Sequence, residues 1–210
     1  MNKIYCLLIL FLLGYTLIPA QDTLVWKLNN PDTVGHFKTS YLTDRPSVIH
    51  TEYGEALIFD GVDDGILVNA NPLGNADSFT IEVLFLPDSS SDISNYEQRF
   101  IHIKNRDDSR RILIELRLKK NRWTLDTFIK NGNSKCTLID TSIWHETGKW
   151  YKAALSYTKG IMKHFVNGRE EMRGKIDFEP IGDNGTISIG VRQNKKSWFK
   201  GIIREIKFIR

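Results

Sequence analysis

From residue 24 onward the chain alternates apolar and polar positions in short runs, each broken by Gly, Asn, Asp or Ser. Period-two alternation places successive side chains on opposite faces of an extended strand. In 111–118, Ile112, Ile114, Leu116 and Leu118 share one face, while Arg111, Leu113, Glu115 and Arg117 share the other. The first set predicts a core face and the second a polar face on a central strand. In 99–104 the same rule turns Ile101 and Ile103 inward and Phe100, His102 and Lys104 outward. Asp126 lies between Leu125 and Thr127 on a run that opens at Trp123, and Met162, His164 and Val166 alternate with Lys163, Phe165 and Asn167.

Runs of this kind, rich in Ile, Val, Phe, Tyr and Thr, predict strands at 24–28, 56–60, 66–68, 79–86, 99–104, 111–118, 123–129, 135–139, 150–157, 162–166, 186–191 and 201–208. The clearest turns are Asp60-Gly61, Lys130-Asn131-Gly132-Asn133, Thr158-Lys159-Gly160 and Asn167-Gly168. Lys159-Gly160 and Asn167-Gly168 set glycine where positive φ is expected. Helical periodicity is scarce, and no repeat, low-complexity tract or linker interrupts the pattern. The expectation is all-β: one two-sheet antiparallel sandwich of jelly-roll type over residues 21–210.

Residues 1–20 read differently. Lys3 precedes an apolar run from Ile4 to Leu13, and Ile18-Pro19-Ala20 leads to Gln21. This is the pattern of a cleaved signal peptide, too short for a membrane span. A secreted or periplasmic protein without a stable membrane anchor is expected. Past that leader, Cys136 is the single cysteine, so no internal disulfide can form and a packed core has to supply stability. Cys136 is expected to be a buried, inert thiol. The formal net charge of +4 drops to +3 without Lys3, which says little by itself. Basic pairs at Arg110-Arg111, Lys119-Lys120 and Lys195-Lys196 are read either as solvated loop tips or as an attraction for a polyanion. Nucleic acid is not an expected partner, because the chain carries no recognition helix or nucleic-acid motif.

Three segments carry a family resemblance. They are Leu57-Ile58-Phe59-Asp60-Gly61-Val62-Asp63-Asp64, then Trp150-Tyr151-Lys152-Ala153-Ala154-Leu155 running on to Phe165-Val166-Asn167-Gly168, and Ile187-Ser188-Ile189-Gly190 followed by Phe199 to Ile206. Together the chain resembles the laminin G-like branch of the concanavalin A-like lectin/glucanase superfamily, from roughly Leu24 to Arg210. The resemblance implies a concave sheet with ligand sites on its open face or among the loops at one rim. Phe100, His102, Glu115, Arg117, Asp126, His164, Arg192 and Trp198 are the residues expected on such a surface. The alternative is a solvated charge ladder, in which Glu115 and Arg117 pair with neighbouring strands.

The resemblance also implies that calcium can sit at a rim, and Asp60, Asp63 and Asp64 are the residues for it. An Asp beside Gly in a turn can equally cap its own backbone. Apart from structural calcium no cofactor is expected, and the histidines lack zinc-ligand spacing. The glucanase pattern of two glutamates flanking an aspartate is missing. For a lyase, His102, Arg117, His164 and Glu115 would have to supply base and neutraliser, but His102 precedes Glu115-Leu116-Arg117, the reverse of the lyase order. Three functions remain open: a carbohydrate-binding domain recognising a polysaccharide, a polysaccharide-degrading enzyme acting on an acidic glycan, and an extracellular protein-interaction or adhesion domain.

Overall fold

The computed structural model describes residues 22–90 and 92–210, and the expected leader lies outside them. Seventeen strands form among the described residues: β1 (Thr23–Lys27), β2 (Thr33–Val34), β3 (Phe37–Tyr41), β4 (Ser47–Thr51), β5 (Gly54–Asp60), β6 (Ile66–Val68), β7 (Phe79–Pro87), β8 (Glu97–Lys104), β9 (Arg110–Lys119), β10 (Arg122–Asn131), β11 (Ser134–Ile139), β12 (His145–Glu146), β13 (Tyr151–Thr158), β14 (Ile161–Val166), β15 (Arg169–Lys175), β16 (Thr186–Ile189) and β17 (Lys200–Ile209). One sheet runs β15-β14-β13-β7-β17-β5-β4, with β1 also on β17. The other runs β11-β10-β9-β8-β16-β6-β3-β2, with β12 on β10. All pairings between these strands are antiparallel, which gives the expected jelly-roll sandwich.

The core forms where alternation points inward from both sheets. In β7, Phe79, Ile81, Val83 and Phe85 are buried while Thr80, Glu82, Leu84 and Leu86 are half-exposed. From β9, Ile112, Ile114, Leu116 and Leu118 meet that layer, as the sequence predicts. Aromatic rings fill the centre: Phe85 stacks on Phe100 at 4.7 Å between centroids, and Trp123 meets Phe85 edge-on at 5.3 Å. Both expected glycine turns are present. Lys159 and Gly160 have φ of 47° and 80°, and Asn167 and Gly168 have 50° and 79°.

Two inward placements correct the sequence reading. A bulge between Arg99 and Ile101 sets two residues of β8 against one step of β9. The extra residue breaks the alternation, so Phe100 turns inward beside Ile101 and is 0 % exposed. His164 lies on the core face of β14 between Met162 and Val166. Its Nδ1 shares a hydrogen bond of 3.1 Å with Thr127 Oγ1, across the sandwich from β10. Burial holds this imidazole down to about 4, so it is neutral at ordinary pH. Neither residue belongs to a surface. Cys136 is half-buried, and its thiol is pushed up by desolvation, which suits the expected inert role.

Candidate functional site

The outward face of the nine-stranded sheet collects the chemistry. Cross-strand register places His102 beside Leu113, Glu115 beside Asp126, Arg99 beside Glu115, and Glu97 beside Arg117. Arg117 is the hub. Its Nε donates to Asp126 Oδ2 at 2.7 Å, and its guanidinium also pairs with Glu97 and reaches Glu115 Oε1 at 3.4 Å. Arg99 pairs with Glu115, and with Glu97 at 3.1 Å. Its backbone N–H donates to the carbonyl of Ser197 at 3.0 Å, which pins the loop after β16 onto β8. Glu115 is only 3 % exposed and Asp126 0 %. The expected ladder is therefore a buried network, and neither carboxylate is open to a substrate.

This burial has a titration consequence. Glu115 is raised to about 7, chiefly by desolvation, with Arg99 opposing and the neighbouring Asp126 adding to the rise. Asp126 is raised for the same first reason, against the pull of Arg117. A carboxyl whose folded pKa exceeds its unfolded value favours folding most when protonated, and that contribution fades as pH rises from about 4.5 to about 7. The buried histidines act in the opposite sense, since the unfolded chain binds their protons first. The expected result is therefore a difference: Glu115→Gln gains stability relative to the parent as pH climbs from 4.5 to 7. Urea midpoints of both proteins across that range check it, and parallel curves would count against it.

His102 is 2 % exposed. The Gln193 backbone N–H donates to its Nδ1 at 3.1 Å, and Gln193 Nε2 donates to its carbonyl at 3.3 Å. Desolvation first, and then the charges of Arg111, Arg192, Lys104 and Arg99, keep the ring neutral, with a pKa of about 2. A neutral imidazole that accepts at Nδ1 carries its proton at Nε2. That Nε2–H is buried and has no partner among the described residues. Arg192 follows the end of β16 and lies within electrostatic reach of Arg99, Arg111 and Glu115.

Beyond His102, at the end of the sheet, the chain leaves a polar cavity of about 660 Å³. Lys104, Asn69, Asn105, Asn184, Thr186 and Gln193 line it. Of these, Lys104 figured in the sequence reading as an outward-facing position and Thr186 as the first residue of a predicted strand. Asn69, Asn105, Asn184 and Gln193 lie just beyond the ends of predicted strands, where period-two alternation assigns no face.

The remaining expected residues lie elsewhere. Trp198 is half-buried at the rim against Gly65, where an added Cβ would come within 3.0 Å of its ring. Asn95 Nδ2 donates to the carbonyls of Trp198 (2.8 Å) and Gly61 (3.0 Å), which ties the Trp198 backbone to the acidic turn. In that turn Asp60 Oδ1 accepts from the N–H groups of Val62, Asp63 and Asp64, at 2.8, 3.2 and 3.4 Å, and so caps its own backbone. The carboxylates of Asp60, Asp63 and Asp64 nevertheless place ligand oxygens within 4.8 Å of one another. His102, Glu115, Arg117 and His164 do not converge on one point, because His164 is on the core side.

Comparison with known proteins agrees with this architecture. Residues 60–210 match the family description Laminin_G_3, concanavalin A-like lectin/glucanases superfamily. The chain belongs to this superfamily. None of the curated proteins compared with it by sequence is similar. Among solved structures, this concanavalin A-like chain is similar to domain 4 of AbnA, a GH43 extracellular arabinanase from Geobacillus stearothermophilus, in complex with arabinotriose. The identity is 17% and the TM-score 0.61, over 90% of this chain and 93% of that one. It is also similar to the botulinum neurotoxin serotype G binding domain (13% identity, TM-score 0.60, 88% of this chain), about half of whose length it spans at 46%. The LG1-3 region of the laminin alpha2 chain follows at 16% and 0.54, over 71% of this chain and 30% of that one. At such identities the likeness is one of fold, and a concanavalin A-like fold carries many functions.

Proposed function

We propose that the chain is an exported, non-catalytic carbohydrate-binding domain that recognises a polysaccharide at the rim where β6, β8 and β16 meet. The observation that carries this reading is the polar cavity of about 660 Å³, walled by Asn69, Asn105, Asn184, Thr186 and Gln193. The amides of Gln193 and Asn105 are engaged at both ends, whereas those of Asn69 and Asn184 make no hydrogen bond among the described residues, and a free amide offers a donor and an acceptor side by side, which matches the paired hydroxyls of a sugar ring. The similarity to an arabinanase domain solved with arabinotriose supports the reading. The burial of Glu115 and Asp126 and the core position of His164 favour binding over cleavage.

A glycan array followed by calorimetry tests it. Saturable binding without product is expected, and Asn184→Ala should weaken it about fivefold, ~1 kcal/mol for one hydrogen bond. No bound glycan, or an unchanged Asn184→Ala, would overturn the proposal.

The acidic turn is proposed as a calcium site. Asp63 is pushed up by desolvation and by the charges of Asp60 and Asp44, and Asp64 rises to about 6, chiefly through desolvation. With Asp60 Oδ1 occupied by backbone N–H groups, the free oxygens of Asp63 and the second oxygens of Asp60 and Asp64 suit a hard cation. In scanning calorimetry, added calcium should raise the unfolding temperature, and Asp63→Asn should remove that rise.

A further inference from the structure

The geometry points to an anion subsite formed by Lys104, Arg111, Arg192 and the Nε2–H of His102, which takes a carboxylate or sulfate group of an acidic polysaccharide. It rests on the proposed carbohydrate-binding role and narrows the ligand class. Lys104 and Arg111 are cross-strand partners at one end of the outward face. His102 is next in line on β8, and Gln193, which caps its Nδ1, directly follows Arg192. Cations are thus gathered on one side of a buried neutral ring.

Among the described residues the buried His102 Nε2–H has no acceptor; Arg111 Nε–H has none either, but its guanidinium is held by Asp108, whose Oδ1 is also unpartnered. A buried donor without a partner is costly, and native structures rarely leave one. Each nearby carboxylate is already paired through at least one oxygen. Asp108 holds Arg111 at 3.1 Å, and Glu115 and Glu97 belong to Arg99 and Arg117. Lys104 and Arg192 have no side-chain hydrogen bond or ion pair among the described residues. An anion entering between them supplies the missing acceptor and neutralises repelling charges. Charge-assisted bonds from guanidinium to a planar oxyanion are strong and directional. Nε2 is covered as the structure stands, so the anion reaches it only when a covering side chain shifts. Lys104 and Gln193 also line the polar cavity, so one glycan can place its neutral hydroxyls there and its acidic group over His102.

The full chain is titrated at fixed ionic strength with polygalacturonate, dextran sulfate and uncharged dextran, alongside the best neutral glycan from the array. At least one acidic polymer should bind at least tenfold more tightly than dextran, and which one does so distinguishes carboxylate from sulfate. Arg192→Ala and Lys104→Ala should each weaken that binding about tenfold. Arg192→Ala should leave the neutral glycan unaffected. Lys159→Ala with Lys175→Ala, a basic pair that lines a surface formed by β13, β14 and β15, should change nothing. In ¹⁵N-labelled protein the His102 Nε2–H resonance should shift on adding the acidic polymer, a readout that diffuse charge attraction would not give. Equal loss from the Lys159/Lys175 variant, or an unmoved His102 resonance, overturns the subsite. Neutral glycans bound as tightly as acidic ones would sink the subsite while the carbohydrate-binding role stands. No binding to any glycan, charged or neutral, defeats both.

Discussion

Replacing Phe100 with Ala should cost about 3–5 kcal/mol of folding stability, the range for truncating a buried aromatic. For a domain of this size that is a fall of roughly 6–20 °C in unfolding temperature. The cause lies in the ring's surroundings: Phe85 stacks on it at 4.7 Å and Phe199 packs at 5.5 Å. Little can collapse into the hole, because those neighbours are themselves fully buried. A ligand-contacting aromatic on the sheet surface would behave differently, losing binding while stability stayed within about 0.5 kcal/mol. Calorimetric melting of Phe100→Ala separates the two, and a melting point within 2 °C of the parent, the shift of at most about 1 kcal/mol, would refute the inward placement.

The second large effect is expected at Arg117. Its guanidinium holds Asp126, Glu115 and Glu97 together. Arg117→Met keeps the aliphatic length but leaves two buried carboxylates with only Arg99 to offset them. Breaking a buried ion pair from one side costs about 3–5 kcal/mol, more than the pair contributes over an apolar replacement, because the remaining charge stays desolvated. The double variant Arg117→Met, Asp126→Asn removes one of the stranded charges and should recover part of the loss. Denaturant unfolding of the four proteins in this cycle measures the coupling. A single-variant loss below about 1 kcal/mol would show the network to be solvated.

Much of the sandwich was legible because strand alternation is local. The segments around β5, β7, β9, β10, β13 and β17 each carry a clear apolar face, and each forms where expected. What the pattern missed was β2, β3, β4, β12 and β15. The last runs Arg-Glu-Glu-Met-Arg-Gly-Lys and, among the described residues, pairs only with β14. An edge strand buries little, so hydrophobicity does not mark it, and its charges fit an edge that must resist pairing with other chains.

The site was legible in parts. His102, Glu115, Arg117, Asp126 and Arg192 lie on the outward face or in its loop, where alternation and turn signals put them. Phe100 and His164 do not, for separate reasons. In β8 one bulge residue reverses the phase, which no period-two count can foresee. In β14 the alternation was correct and grouped His164 with Met162 and Val166. A polar ring is tolerated in the core because Thr127, 37 residues away in sequence, supplies a hydrogen bond from the facing sheet.

By itself the sequence determined the all-β class and most of the core faces, since both follow from the repeat of side chains along an extended chain. Only the tertiary structure decided which polar residues meet. The carboxylates of Glu115 and Asp126, the cations around His102 and the amides at the rim come together through strand pairings and loops far apart in the chain. Their burial and charge depend on those neighbours, so their chemistry is a property of the assembled sheet.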